Sequence, residues 1–234
     1  MSSLPRIDLP QHELMLPISK KKVKYRPFVV KEEKIMLIAI EENNPEQVIE
    51  AINQIIINCT SEKCSIDNLP QLDVEYLFLN IRNKSLGNGV EVNAVCTSCD
   101  KNNRLNLDLS KATIKEGAKL EPEVKLNDDT WVVLKYPSVR ETYKLTVDDS
   151  DDNIMSVLAS SITTIIKGDQ TYSTQDTPLP DVIDFVENLT QEQLAKINGY
   201  FENAPSIVFN DTFICKHCKV ENGIKLEGLQ NFFD

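Results

Sequence analysis

The stretch from Asn93 to Ser110, "NAVCTSCDKNNRLNLDLS", reads as strand, Cys-x-x-Cys turn and strand, and "FICKHCKVENGIKLEG" from Phe213 to Gly228 repeats that order. Aligned on their cysteines, Cys96, Cys99, Asn103, Leu105 and Leu107 match Cys215, Cys218, Asn222, Ile224 and Leu226. Nothing else in the chain restricts the fold as much. Each hairpin turn presents two sulfurs from one side, and a tetrahedral ion such as zinc takes four ligands. The two turns are therefore expected to face each other across one closed site made of Cys96, Cys99, Cys215 and Cys218. The long intervening sequence is a weak obstacle, because loop-closure entropy grows only logarithmically and the insert has structure of its own.

Two other uses of the cysteines fit less well. A thioredoxin-like redox centre places one Cys-x-x-Cys pair at the start of a helix, whereas both pairs here precede alternating, strand-like sequence. Independent reduced thiols leave the duplicate spacing and the matched Asn and Leu positions unexplained. A closed four-cysteine zinc site is a clamp, since catalytic zinc keeps one position for water. His217 lies between Cys215 and Cys218, and with four thiolates already supplied it is expected to point to solvent. Cys59 is expected to pack as a small hydrophobe at the end of an apolar helix, with Cys64 in a loop. No histidine or further cysteine lies close enough in sequence to make a second metal site of that pair.

The pattern predicts an α+β fold: an N-terminal β-hairpin with a helical core over residues 1–88, then a β-rich, zinc-ribbon-like region with additional helices over residues 89–234. "ELML" and "KKVKY" are the hairpin strands, with Lys20, Lys21, Lys22 and Lys24 protecting an exposed edge. "VVKEEKIMLIAIEEN" is a helix whose apolar block Ile35–Ile40 is too long for one face, so it is expected to be enclosed on more than one side. Asn44 and Pro45 cap and open the next helix, which carries Val48, Ile52, Ile55, Ile56 and Cys59 on one stripe. The third helix, from near Pro70, has Val74, Leu77, Phe78 and Ile81 on one face and Leu72, Tyr76 and Leu79 beside it, and ends at Gly87 and Gly89.

From Val90 the period becomes two. Val90, Val92 and Ala94 alternate before the first pair of cysteines, and Leu105, Leu107 and Leu109 after it. "TWVVLKYP" is a further strand, and Ser138 with Glu141 forms a capping box for a short helix. "TVDDSDDN" (146–153), an acidic loop or a helix start, is rich in carboxylates but lacks the ligand offsets, glycine and distal glutamate of a calcium loop, so it reads as a solvated turn leading into "NIMSVLASSITTII". "DVIDFVENL" and "EQLAKINGYFEN" are two helices joined at a tight turn, the second opened by a Thr190–Gln193 capping box. "SIVFNDTFIC" is strand-like and leads to the second pair of cysteines.

Among 234 residues, 36 are acidic and 25 are Lys or Arg, a net charge of −11 that opposes non-specific binding to phosphate backbones. No stretch reads as a membrane helix or signal peptide, so an intracellular setting is expected. Catalytic constellations are also missing from the pattern. The seven glycines form no phosphate-binding loop, and the two histidines, His12 in an expected mobile tail and His217 in a cysteine turn, leave no evident general base. No enzyme is expected.

"KKVKYRPFVVKEEKIML" and "LPQLDVEYLFLNIRNKS", followed by the paired cysteines, resemble the baseplate hub and hub-assembly proteins of T-even-type contractile-tailed bacteriophages. That resemblance implies a tail-morphogenesis role without catalysis: a hub component or an assembly chaperone binding other tail proteins, with no small-molecule substrate, in the infected host's cytoplasm and in the virion baseplate. It also makes Tyr25, Arg26, Pro27, Phe28, Lys31, Glu32 and Glu33 candidates for a characteristic surface or fold element, beside the simpler role of setting the hairpin-to-helix junction. The terminal Phe232 and Phe233 are further contact candidates, on their own chain or a partner. The alternative function is a zinc-ribbon nucleic-acid-binding or transcription-associated module, for which Lys101, Arg104, Lys216, Lys219 and Lys225 are the only nearby cations.

Overall fold

The computed structural model describes residues 7–42, 44–61, 64, 66–115, 122–142 and 151–227. Most of the acidic stretch 146–153 and both terminal phenylalanines, Phe232 and Phe233, lie outside the described residues. The fold is α+β, with small antiparallel sheets and helices. Two compact units are present: one comprises residues 1–66, 72–114 and 207–234, the other residues 67–71 and 115–206. The boundary between them is therefore not a single point in the sequence.

In the first unit, β1 (His12–Met15) pairs antiparallel with β2 (Lys22–Tyr25), Leu14 opposite Val23. Val23 and Tyr25 are buried while Lys22 and Lys24 face out, as alternation requires. His12, expected in a mobile tail, is instead held in β1 with its ring 5.5 Å from that of Tyr25. Helix α2 (Pro45–Cys59) opens as read, with the Asn44 side chain accepting from the Glu46 N–H at 2.9 Å. Ala51, Ile52, Ile55, Ile56 and Cys59 form its buried stripe, and Val48 is half-buried. The hairpin docks on the end of this helix, Arg26 N–H donating to Cys59 O at 2.9 Å and Ser61 N–H to Lys24 O at 3.0 Å.

Helix α1 (Val30–Glu41) departs from expectation. It buries Glu32, Met36 and Ala39, one narrow stripe, and leaves Val30, Leu37, Ile38 and Ile40 exposed. The apolar run Ile35–Ile40 is expected to be enclosed on more than one side, but only Met36 and Ala39 are buried and Ile35 half-buried. Helix α3 (Gln71–Leu86) is buried almost all round, and encloses Asp73, Glu75 and Arg82 as well as the apolar faces. Each charge that is buried needs a partner. Asp73 accepts from the backbone N–H groups of Ile18 and Ser19 at 2.7 and 2.8 Å, fixing the turn between β1 and β2. Arg82 donates to Gly87 O at 2.7 Å and Gly89 O at 2.8 Å, satisfying carbonyls where the helix ends. Gly87 takes φ +82°, the left-handed conformation that stops α3.

The remaining strands of this unit carry the cysteines. β3 (Gly89–Val95) pairs with β4 (Asn102–Asp108), and β10 (Ser206–Ile214) pairs with β11 (Glu221–Glu227) and with β5 (Thr113–Lys115). Val92, Leu107 and Leu109 of the first hairpin region share a core with Ile207 and Phe209 of the second and with Leu72 and Leu79 of α3.

In the second unit, β6 (Glu123–Lys125), β7 (Thr130–Leu134), β8 (Ile162–Lys167) and β9 (Gln170–Ser173) form an antiparallel sheet in that order. Leu126, Val132, Leu134 and Ile162 pack with Leu158 and Ala159 of α4 (Asp151–Ser161), Val182 and Val186 of α5 (Leu179–Glu187), and Ile197 and Tyr200 of α6 (Gln191–Glu202). Both capping boxes form. Ser138 N–H donates to Glu141 Oε2 at 2.6 Å, and Thr190 N–H to Gln193 Oε1 at 2.9 Å, with the return bonds at 3.3 Å in each case.

Candidate metal centre

The two hairpins close in the same register. Val95 pairs with Asn102 around the turn 96–101, and Ile214 pairs with Glu221 around the turn 215–220. Within each turn the first cysteine donates its N–H to the carbonyl five residues on, Lys101 O at 3.0 Å and Val220 O at 2.9 Å. The residue four positions after each first cysteine returns a bond to the cysteine carbonyl at 3.0 Å, from Asp100 and Lys219. Both of those residues have positive φ, 54° and 63°, a conformation uncommon outside glycine. Equal sequence spacing has produced equal backbone geometry, down to one strained residue in each turn.

The structure brings all four sequence-predicted cysteines together. The Sγ atoms of Cys96, Cys99, Cys215 and Cys218 lie within 4.8 Å of one another, with Cys96–Cys218 at 3.6 Å and Cys99–Cys215 at 3.7 Å. These separations are far beyond a disulfide bond. The Cys96–Cys218 and Cys99–Cys215 separations match the edge of a sulfur tetrahedron around zinc, ~3.8 Å for a metal–sulfur distance of about 2.3 Å. Four such cysteines could bind a metal ion. Cys96 and Cys215 are buried, while Cys99 and Cys218 lie nearer to solvent, and His217 is exposed.

Sequence matching singled out Asn103 and Asn222 without giving them a task. The structure supplies one. Asn222 donates to Cys96 Sγ at 3.4 Å and to Val220 O at 2.9 Å, and accepts from Thr97 N–H at 2.9 Å. Asn103 repeats this from the other side, donating to Cys215 Sγ at 3.6 Å and to Lys101 O at 3.0 Å, and accepting from Lys216 N–H at 2.9 Å. Each buried asparagine thus ties its own turn to the facing one. Lys216 Nζ adds a bond to Arg104 O at 2.9 Å.

The same donors act on the thiols. The backbone N–H of Cys218 is the largest influence on Cys215, which is lowered to about 5, with burial opposing and the His217 N–H and Asn103 helping. Cys96 is lowered chiefly by the Ser98 N–H. At Cys99 the Lys101 N–H pulls down, but burial and the sulfurs of Cys218, Cys215 and Cys96 outweigh it and push the thiol up to about 12. Crowded sulfurs cannot all ionise unaided, and a cation among them would remove that obstacle.

The other two cysteines stay apart. Cys59 is buried at the end of α2, and burial is the main cause of its rise to about 11. Cys64 lies in irregular backbone, and the four-cysteine cluster is the one group of potential metal ligands of this kind among the described residues. Beside Cys59, Arg26 donates to Pro27 O at 2.9 Å, Asn58 O at 3.0 Å and Glu32 Oε1 at 3.1 Å, while Glu32 Oε2 accepts the Val29 N–H at 2.9 Å. Burial alone would raise the Glu32 carboxyl, but the Val29 N–H, Arg26 and Lys31 together hold it below the ordinary value. Arg26 and Glu32 thus join the hairpin, α1 and the end of α2 as a fold element.

Fold and site together define an α+β protein in which two β-hairpins meet at a four-cysteine cluster. The family described as T4 bacteriophage base plate protein matches residues 9–234, and the chain belongs to that family. No curated protein and no solved structure matches it. Membership supports a structural role in the phage tail baseplate, among other tail and baseplate proteins. Among the described residues, no helix is long and apolar enough to cross a membrane.

Proposed function

We propose that this protein is a non-enzymatic component of tail morphogenesis, acting in the baseplate hub or as a chaperone of hub assembly, and that Cys96, Cys99, Cys215 and Cys218 hold a structural zinc ion. The observation that carries the reading is the convergence of four sulfurs from two hairpins that lie more than a hundred residues apart, within a baseplate-family chain. Four soft thiolates in a tetrahedral spread suit zinc, with a single iron as the competing ion. Bound zinc would supply a cross-link and no open coordination position, consistent with a scaffold.

The chain's own residues do the rest. Asn103 and Asn222 hold the turns face to face, the backbone N–H groups of Ser98 and Cys218 favour thiolate, and α3 supplies the apolar floor on which both hairpins rest. In small zinc domains such binding is worth on the order of 10 kcal/mol, enough to decide whether the strand pairs stay together. Partners are other tail proteins, met in the host cytoplasm during assembly. Mass spectrometry of purified virions against infected-cell lysate tests the role. Presence in both supports a hub component, presence in lysate alone supports a chaperone, and failure to co-purify with any tail protein contradicts both.

A further inference from the structure

Helix α1 presents two opposed stripes. At about 100° per residue, the buried Glu32, Met36 and Ala39 fall within an arc of roughly 60°, and Val30, Lys34, Leu37 and Glu41 fall within a similar arc on the opposite side. Ile38 borders that outer arc. Val30, Leu37 and Ile38 are 65, 54 and 56 % exposed, a concentration of large aliphatic surface on one helix. Single exposed apolar residues are ordinary, but a stripe along three turns marks a contact surface.

The charges on the stripe say what covers it. Lys34 and Glu41 form no ion pair among the described residues, in contrast to Lys31, which lies 3.3 Å from Glu32. They stand at equal distances on either side of the Leu37–Ile38 midpoint, one helical turn away in each direction. A twofold axis through that midpoint, relating two antiparallel copies of α1, places Lys34 of each copy against Glu41 of the other and packs Leu37 against Ile38 twice. A parallel pairing would set Lys34 on Lys34 and Glu41 on Glu41. The stripe is therefore self-complementary in one orientation, as a twofold contact requires.

We propose that the outer face of α1 is the surface through which two copies of this chain pair, antiparallel about a twofold axis. One helix face buries less than a standard protein interface, so the dimer is weak and concentration-dependent. It does not rest on the zinc reading, and a metal-free chain that keeps this unit folded would pair in the same way.

Sedimentation equilibrium of the full-length protein from about 10 to 500 μM at low salt tests the proposal. Wild type is expected to show a monomer–dimer equilibrium. Lys34→Glu and Glu41→Lys are each expected to weaken it roughly tenfold, because each creates two like-charge contacts in place of two attractive ones. The double variant Lys34→Glu/Glu41→Lys is expected to recover most of the loss, and Leu37→Asp to abolish pairing. All three positions are exposed, and unchanged circular dichroism melting would verify that each variant folds. A wild-type monomer throughout the range overturns the proposal. So does a double variant that associates no better than the single ones, which would leave the stripe to a different baseplate protein.

Discussion

Replacing Asn222 by alanine removes one of the two braces of the cysteine cluster without touching a sulfur. Four bonds disappear: the donation to Cys96 Sγ at 3.4 Å, the donation to Val220 O at 2.9 Å, and acceptance of the Thr97 N–H and of the Thr97 hydroxyl, each at 2.9 Å. Thr97 is exposed, so water replaces the lost acceptor there at small cost, and the turn carbonyl still receives the Cys215 N–H. The bond to sulfur and the fixed separation of the turns have no replacement, because Asn222 is 4 % exposed. The lost bond to a thiolate, worth about 2 kcal/mol for a charged acceptor, agrees with the 10- to 100-fold loss of metal affinity usual for groups that orient ligands. A loss of roughly 30-fold is therefore expected, measured by zinc competition with a chromogenic chelator at neutral pH. Asn222→Asp should do worse than alanine, since it keeps the acceptor for Thr97 but sets a carboxylate beside a thiolate. Affinity within twofold of wild type for both variants would refute the bracing role.

Further outcomes follow from the first unit. Glu32→Ala leaves Arg26 without its buried carboxylate and should cost about 3 kcal/mol in urea unfolding. Because the Glu32 carboxyl is held below its ordinary value, its contribution is present above the unfolded-state pKa and lost as pH falls through the lower folded value. The wild-type-minus-Glu32→Ala stability difference should accordingly shrink as pH drops below about 4.3. Asp73→Ala should cost about 2 kcal/mol by stranding the N–H groups of Ile18 and Ser19, with enhanced amide exchange in the turn between β1 and β2. Gly87→Ala should cost about 1 kcal/mol, because φ +82° strains any side chain although no atom lies within 4 Å of the added methyl; thermal melting measures it.

The parts of the fold that were legible in the sequence are those where local chemistry and final environment agree. Asn44 before Pro45, the Thr190–Gln193 pair and the stripe ending at Cys59 each act within one element, so spacing alone identifies them. The cysteine turns were legible for a different reason: duplication supplied a second copy against which to compare spacing. What failed depended on distant neighbours. The apolar run Ile35–Ile40 does not reveal that Leu37 and Ile38 stay uncovered within this chain. Asp73 and Arg82 resemble surface charges until the loops they serve are in place. The β8–β9 hairpin was not anticipated, although the β-branched run Ile162–Ile166 and Gly168 carried the signal. The asparagines Asn103 and Asn222 were visible as a match, but reach across to the opposite hairpin only once the turns face each other.

The decisive measurement is the metal content of the native protein, by native mass spectrometry and elemental analysis of the same sample after expression with zinc and iron both available. One zinc per chain is expected, lost together with protection of Cys96, Cys99, Cys215 and Cys218 from alkylation when a strong chelator is added. A folded chain that carries no metal, with those four thiols alkylated as fast as free cysteine, would contradict it.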